Sequence, residues 1–160
     1  MSEPVATEAT VREAGDADVG EVATAVESLL VELGGRRPER SELEAEVRAL
    51  LDDPEGGSVL IAEADGKIVG VLSASWQRAI HVPGVYATIQ DLWVDEDWRS
   101  RGVGAELVEA IASQARDRGV SRLEVGLPRE TFAAIASTES FYRRNGFEQL
   151  GPRMRRLLDE

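Results

Sequence analysis

The stretch from Gln90 to Ala105, QDLWVDEDWRSRGVGA, restricts the fold of this chain more than any other segment. Its first half alternates apolar and polar residues as a strand does, and its second half is a turn that contains Gly102 and Gly104. Apolar residues then recur at helical spacing, which predicts a strand, a glycine turn and a helix in succession. Glycine lets the backbone approach a ligand, and the first amides of a helix have no internal partner. The stretch therefore predicts a phosphate or pyrophosphate site.

Two other phosphate-binding patterns do not occur in the chain. There is no Walker sequence (G-x-x-x-x-G-K-[ST]), and Leu107 stands where the third glycine of a dinucleotide-binding G-x-G-x-x-G turn would be. The motifs therefore do not indicate nucleotide hydrolysis or hydride transfer.

Apolar periodicity places this stretch inside a mixed α/β layer arrangement. Before it, the pattern predicts a strand, two helices and the two strands of a hairpin, at 10–14, 19–33, 38–51, 58–63 and 68–76. Asp16 or Asp18 is expected to cap the first helix, and Asp65-Gly66 to form the hairpin turn. The next segments are a loop at 77–84 and the strand of the opening stretch at 85–94. After it, the pattern predicts a helix, a strand, a helix and two last strands, at 106–118, 122–127, 137–144, 147–150 and 154–158.

The residue types exclude several kinds of chemistry. The 160 residues include no cysteine, which excludes disulfides, thiolate metal sites and a cysteine nucleophile. The single histidine, His81, argues against a histidine-built metal site or triad, and no metal is expected. The length fits one domain, which we place at 10–160 after a polar lead-in at 1–9.

The charge balance limits the partners. Thirty acidic and eighteen basic residues give a net charge of −12, which argues against nucleic acid and an anionic membrane surface. The acidic surplus is compatible with a cationic substrate, or with solubility alone. No apolar run reaches the roughly 20 residues that a membrane helix needs, and the first residues, MSEP, lack a signal-peptide pattern. The expected location is therefore cytoplasmic.

Two short motifs lie about forty residues apart. RSRGVG at Arg99–Gly104 follows a strand ending at Val94, and FYRRNGF lies at Phe141–Phe147. The first is similar to the signature Q/R-x-x-G-x-G/A and the second to the element F-Y-x-x-x-G-F, and together they resemble the motifs of the GNAT N-acetyltransferase superfamily. The resemblance implies an α/β (α+β) fold with a mixed, mostly antiparallel sheet of about six or seven strands and about four flanking helices. It also implies acetyl transfer from acetyl-CoA to a primary amine of a small molecule, peptide or protein.

The resemblance also implies how the donor is bound. Leu92, Trp93 and Val94 would align the pantetheine arm through their main chains, and the Leu92 amide would donate a hydrogen bond to the thioester oxyanion. The pyrophosphate would lie on the turn that follows, which consists of Arg99, Ser100, Arg101, Gly102, Val103, Gly104 and Ala105.

The proton-transfer residues follow from the same resemblance. Tyr142 is the candidate general acid for the departing CoA thiolate, and the alternative is a ring that only packs beside Phe141 and Phe147. Family members often carry a glutamate base where this chain has Gln90, which cannot accept a proton usefully. Asp91 is then a candidate base or substrate contact if a bulge re-aims it, and otherwise a salt-bridge or hydrogen-bond partner. A water chain is the other route for the proton.

Further contacts and alternative functions stay open. Many relatives have an asparagine where this chain has Ile135, a contact that Ser137, Thr138 or Ser140 could replace. Candidates for the acceptor pocket are Trp76, Arg78, His81 and Tyr86. The family resemblance makes a homodimer an expectation. The alternative functions are a noncatalytic CoA-binding module, in which Gln90 marks a lost base, and a structural or partner-binding domain.

Overall fold

The computed structural model describes residues 8–128 and 133–158. Its five strands form one sheet in the order β1-β2-β3-β4-β5, in which β5 runs parallel to β4 and the other neighbours are antiparallel. The strands are β1 (Thr10–Glu13), β2 (Gly57–Ala64), β3 (Lys67–Ala79), β4 (Val82–Val94) and β5 (Leu123–Val125). The helices are α1 (Val19–Leu33), α2 (Arg40–Asp52), α3 (Val103–Asp117) and α4 (Ile135–Arg144). The predicted α/β class is confirmed.

The chain divides after Val125 into two compact units. The first contains the whole sheet with α1, α2 and α3, and the second contains α4.

The core of the first unit lies on both faces of the sheet. On one face, α1 and α2 pack an apolar cluster against β2 and β3, formed by Val19, Val22, Ala25, Val47, Val59, Ile61, Ile68 and Val71. On the other face, α3 buries Leu107 and Ile111 completely. Gly70 of β3 allows this close approach, because a Cβ there would lie 2.9 Å from Val103 Cγ1 and 3.0 Å from Leu107 Cδ1. We refer to these as the α1/α2 face and the α3 face.

The hairpin turn between β2 and β3 is confirmed. Ala64 pairs with Lys67, and the two residues between them, Asp65 and Gly66, have φ values of 52° and 74°. Positive φ at both central positions is the geometry that an Asp-Gly pair favours, and its twist matches that of the strands.

The prediction of a loop at 77–84 is wrong. β3 continues to Ala79 and β4 begins at Val82, so that only Ile80 and His81 connect them. The register shifts between Arg78 and Ala79, which leaves Pro83 and Gly84 as extra residues in β4. Proline has no N–H for a ladder and Gly84 has φ 91°, so both are accommodated in an irregular part of the strand instead of ending it.

Two last strands were also expected, and the structure has neither. Residues 147–150 and 154–158 form no strand, so the described residues form a sheet of five strands instead of six or seven. The Phe147 N–H donates to the Tyr142 carbonyl at 3.0 Å and closes the end of α4. Residues 148–158 are exposed. Alternating apolar residues alone do not make a strand where no neighbouring strand pairs with them.

The start of α1 differs from the predicted cap. Asp18 occupies the N-cap position, but its side chain makes no capping bond to the helix. Its carboxylate instead accepts hydrogen bonds from the Gly15 N–H at 2.7 Å and from Arg12 at 2.8 and 3.0 Å. These bonds lower the pKa of Asp18, with the Arg12 guanidinium as the main cause.

Candidate active site

The second half of β4 has a ladder partner on one side only. β5 pairs with Ala87, Thr88 and Ile89, whereas β3 continues to pair with β4 as far as Val94. The Asp95 N–H bonds to the Val69 carbonyl of β3 at 2.8 Å. Because successive residues of a strand alternate in direction, the main-chain groups of Leu92 and Val94 then point away from β3. Within the first unit, β4 therefore presents an open main-chain edge beyond Ile89.

A β-bulge lies at the start of this open segment. Ile89 pairs with Ala74 and Asp91 pairs with Ser73, so Gln90 has no position of its own in the ladder. Gln90 is exposed, and Asp91 lies on the α1/α2 face opposite Ser73. The Ser73 hydroxyl donates to Asp91 Oδ2 in a short hydrogen bond. The bulge therefore re-aims the one carboxylate that was a candidate base or substrate contact.

The turn after β4 has the backbone geometry of an anion site. Ser100 and Gly102 both have positive φ, at 62° and 87°. The first helical hydrogen bond of α3 runs from the Glu106 N–H to the Gly102 carbonyl at 3.0 Å. Among the described residues, the amides of Val103, Gly104 and Ala105 have no hydrogen-bond partner. No atom lies within 4 Å of the point where a Cβ would stand at Gly102, so this side of the turn is open.

The two arginines of the turn have different surroundings. Arg99 forms a short ion pair with Glu32 of α1, and its Nε donates to the Val94 carbonyl at 3.1 Å. Arg101 lies over the indole ring of Trp98, with its Cζ 4.0 Å from the ring centroid. Within the described part of the chain, no acidic side chain forms a salt bridge with Arg101. Its positive charge is therefore the less neutralised of the two.

Tyr142 belongs to α4 in the second unit. Its side chain is buried, and its ring makes edge-on contacts with Phe141 and Phe147 at centroid distances of 5.1 and 5.4 Å. Burial raises the pKa of the phenol to about 12, because the anion would lose its hydration. The hydroxyl has no hydrogen-bond partner among the described residues. Tyr142 therefore holds a proton firmly at neutral pH.

The polar residues near Ile135 are only partly free to bind a ligand. Ile135 is the first residue of α4 and is half-buried. The Ser137 hydroxyl donates to the Ala134 carbonyl at 2.9 Å, so its proton is already used. Thr138 is half-buried and Ser140 is exposed.

The four acceptor-pocket candidates do not share one face of the sheet. Trp76 and Arg78 alternate with Gln77 on β3 and so lie on the α3 face. Trp76 is buried under the guanidinium of Arg118, whose Cζ is 4.5 Å from the ring centroid. His81 is exposed in the connection between β3 and β4. Tyr86 pairs with Gln77 and lies on the α1/α2 face with Asp91.

Four polar residues of the α1/α2 face were not predicted as contacts from the sequence. They are Ser73, Ser75, Gln77 and Thr88, on the two strands that carry Asp91 and Tyr86. A signal for them exists in the sequence, because Ser73, Ser75 and Gln77 recur with the two-residue period of a strand.

An open strand edge followed by a glycine turn at a helix start offers main-chain groups to an extended ligand with an anionic end. Residues 25–147, well over half of the chain, match the model of the acetyltransferase (GNAT) family. The chain belongs to this family.

Individual relatives agree with this assignment. The chain is 34% identical over 91 residues to an uncharacterized N-acetyltransferase from Methanocaldococcus jannaschii, a match that covers 56% of this chain and 38% of that protein. The fold is similar to that of a possible acetyltransferase from Clostridium difficile 630, with a TM-score of 0.78, 22% identity and coverage of 96% and 99% of the two chains. It is also similar to an aminoglycoside acetyltransferase from an uncultured soil metagenomic sample in complex with sisomicin, with a TM-score of 0.73, 19% identity and coverage of 94% and 97%. Membership of the family supports acyltransferase activity.

Neither a membrane-spanning helix nor a cluster of metal ligands occurs among the described residues. None of the helices within 8–128 and 133–158 is long and apolar enough to cross a membrane. The same ranges contain no group of three or more histidine, aspartate or glutamate side chains that could hold a metal ion.

Proposed function

We propose that this protein transfers an acetyl group from acetyl-CoA to a primary amine, by direct attack in a ternary complex. The observation that carries the proposal is the main-chain surface formed by the open edge of β4 and, after the turn at 95–102, by the free amides at the start of α3. An extended ligand with amides at one end and a pyrophosphate at the other is complementary to such a surface.

The turn and the first residues of α3 fit the donor's pyrophosphate. The amides of Val103, Gly104 and Ala105 are free donors at the positive end of the α3 dipole. The open space beside Gly102 admits a ligand close to the backbone. Arg101 would add a charge that no described salt bridge neutralises, and Arg99 and Ser100 complete the site.

The open edge of β4 fits the donor's arm. Leu92 and Val94 direct their main-chain groups away from β3, with Trp93 between them packed against the α1/α2 cluster. The Val94 carbonyl already accepts from Arg99, so Leu92 offers the free pair of groups. Its amide would stabilise the thioester oxyanion, an effect worth about 2.7 to 4 kcal/mol for one donor.

The residues would then move protons at the sulfur and at the amine nitrogen. The amine nitrogen attacks the thioester carbonyl carbon, a C–N bond forms, and the C–S bond breaks with its electron pair on sulfur. Tyr142 would donate its phenolic proton to that sulfur, and its raised pKa keeps the proton in place until then. An ammonium acceptor must lose one proton before its nitrogen attacks and a second one as the amide forms, and Asp91, or a water chain, would pass both to the solvent. A tyrosine that only packs against its two phenylalanine neighbours is the alternative.

Acetyl-CoA binding and thiol release test this function. At a ligand concentration of about 100 times Kd, acetyl-CoA should stabilise the protein by about 2.7 kcal/mol. Thiol release with a panel of amines should then show turnover. Stabilisation without turnover on any amine would favour a noncatalytic CoA-binding module, and the lack of stabilisation by both acetyl-CoA and CoA would refute both functions.

The other features of the proposal are the acceptor and the assembly. The acceptor amine belongs to a small molecule, a peptide or a protein, without nucleic acid or membrane as a partner. We also propose a cytoplasmic location and a homodimer, the latter testable by sedimentation.

A further inference from the structure

Three successive rungs of the β3–β4 ladder are polar on the α1/α2 face. They are Ser73 opposite Asp91, Ser75 opposite Thr88, and Gln77 opposite Tyr86. We call these six residues the β3–β4 polar row. The preceding rung, Val71 opposite Trp93, belongs to the apolar cluster under α1 and α2. The face therefore changes from core to polar surface within one step of the strands, beside the open edge of β4.

The six side chains differ in chemical type along the row. Asp91 is the only carboxylate of the six, and it lies at the end nearest Leu92. The five other residues carry hydroxyl or amide groups. Four residues at about 3.3 Å each separate Ser73 from Gln77, so the uncharged part extends about 13 Å from Asp91.

The hydrogen bonds leave part of the row free. Ser73 is 5% exposed, and its hydroxyl donates a hydrogen bond to Asp91 Oδ2. The Thr88 hydroxyl donates to Gln77 Oε1. Among the described residues, Asp91 Oδ1, the Gln77 amide nitrogen, the Ser75 hydroxyl and the Tyr86 hydroxyl have no partner. All four of these residues are half-buried, so these groups can reach a ligand.

We propose that the β3–β4 polar row binds the acceptor, and that the acceptor is a monoamine with a hydroxylated or amide-bearing tail. The inference rests on the acetyltransferase function proposed above. The ammonium group pairs with Asp91 beside Leu92, and the tail bonds to the free groups of the other rungs. A second ammonium would be desolvated against hydroxyls and an amide without a carboxylate in the row, which is unfavourable. Ser73 acts as a positioning residue for Asp91.

Three amines with the same linear six-carbon chain test the class of acceptor. They are 1-amino-1-deoxysorbitol, hexylamine and 1,6-diaminohexane, each compared by kcat/KM for thiol release from acetyl-CoA. The hydroxylated monoamine should be preferred over the diamine by about tenfold or more, because the second ammonium lacks a partner. A preference for the diamine or for hexylamine would overturn the inference and leave the acetyltransferase function intact. Acetyl-CoA binding without turnover of any amine would overturn both.

Variants of the row test which residues hold the tail. Gln77→Leu and Tyr86→Phe should each raise KM for 1-amino-1-deoxysorbitol by about two- to tenfold, the range of one hydrogen bond. Both should leave KM for ethanolamine unchanged, because this shorter amine reaches only the Asp91 rung. Equal effects on the two amines would indicate a general structural role and would contradict the assignment.

Ser73→Ala has a different expected result. It should lower kcat/KM for both amines, because it removes the hydrogen bond that orients Asp91, while the Kd of acetyl-CoA stays the same. The matched control is Ser58→Ala, which removes a hydroxyl on the α3 face that bonds to Gln114 at 2.8 Å. This control should leave the kinetics of both amines unchanged. Wild-type kinetics in Ser73→Ala would remove Ser73 from the acceptor site.

Discussion

Gly102 and Gly119 form a matched pair at the two ends of α3. Both have left-handed φ values, 87° and 74°, and in both cases no atom lies within 4 Å of the point where a Cβ would stand. An alanine at either position therefore meets no neighbour, and its cost in stability is the left-handed strain of about 1–2 kcal/mol. Gly102→Ala and Gly119→Ala should thus lower the free energy of unfolding by similar amounts in urea denaturation.

The two variants should differ in donor binding. The Cβ of Gly102→Ala would project into the open space beside the amides of Val103, Gly104 and Ala105, where the pyrophosphate is proposed to lie. We expect about a tenfold or greater loss of acetyl-CoA affinity by titration calorimetry, or about 1.4 kcal/mol. Gly119→Ala should bind as the wild type does. Equal affinities in both variants would refute the assignment of the turn to the pyrophosphate.

Three further predictions concern Tyr142 and the core. Tyr142→Phe should lower kcat for thiol release while the Kd of acetyl-CoA stays within about twofold; unchanged kcat would leave only the packing role. In Tyr86→Phe, Tyr142 is the only tyrosine left of the two, and its phenolate absorbance should appear with a pKa of about 12. Because the pKa is raised on folding, the associated stability is present below about pH 10 and lost as the pH rises towards 12, and a normal titration near pH 10 would contradict the burial argument. Leu107→Ala should reduce stability by about 2–5 kcal/mol in urea, since Leu107 is fully buried beside Gly70; a loss below about 1 kcal/mol would contradict this packing.

The turn and helix signals of neighbouring residues correctly predicted a hairpin turn and a helix. The Asp65-Gly66 turn was predicted correctly because both of its residues adopt the positive φ that the hairpin needs. The helix behind the glycine turn was also predicted, although it begins at Val103 and not at 106. The early start matters for function, because it places the free amides on the residues directly after Gly102.

The errors arise where pairing with distant residues decides the structure. Pro83 and Gly84 indicated a loop, yet the ladder with β3 continues past them to Val82. The apolar residues Leu150, Met154 and Leu158 indicated strands, yet they are 72%, 99% and 84% exposed. The local residues do not show which distant strand, if any, pairs with a segment, and that pairing decides both cases.

The same limit applies to the bulge at Gln90, but its cause can be argued from the neighbours of β4. In a regular ladder, Asp91 would lie opposite Leu72, a side chain with no exposed surface on the α3 face. The residue that now lies opposite Leu72 is the half-buried Leu92, so a carboxylate there would be partly desolvated against an apolar side chain, which is unfavourable.

Trp93 would meet a second obstacle in that regular register. It would lie opposite Gly70, where even a Cβ would come within 3.0 Å of α3 side chains. One extra residue at Gln90 moves Trp93 into the apolar cluster and Asp91 to its hydrogen bond with Ser73. Core packing on the two faces therefore favours the bulge, and we propose that the carboxylate that it turns towards the α1/α2 face takes the role of the base that Gln90 cannot fill.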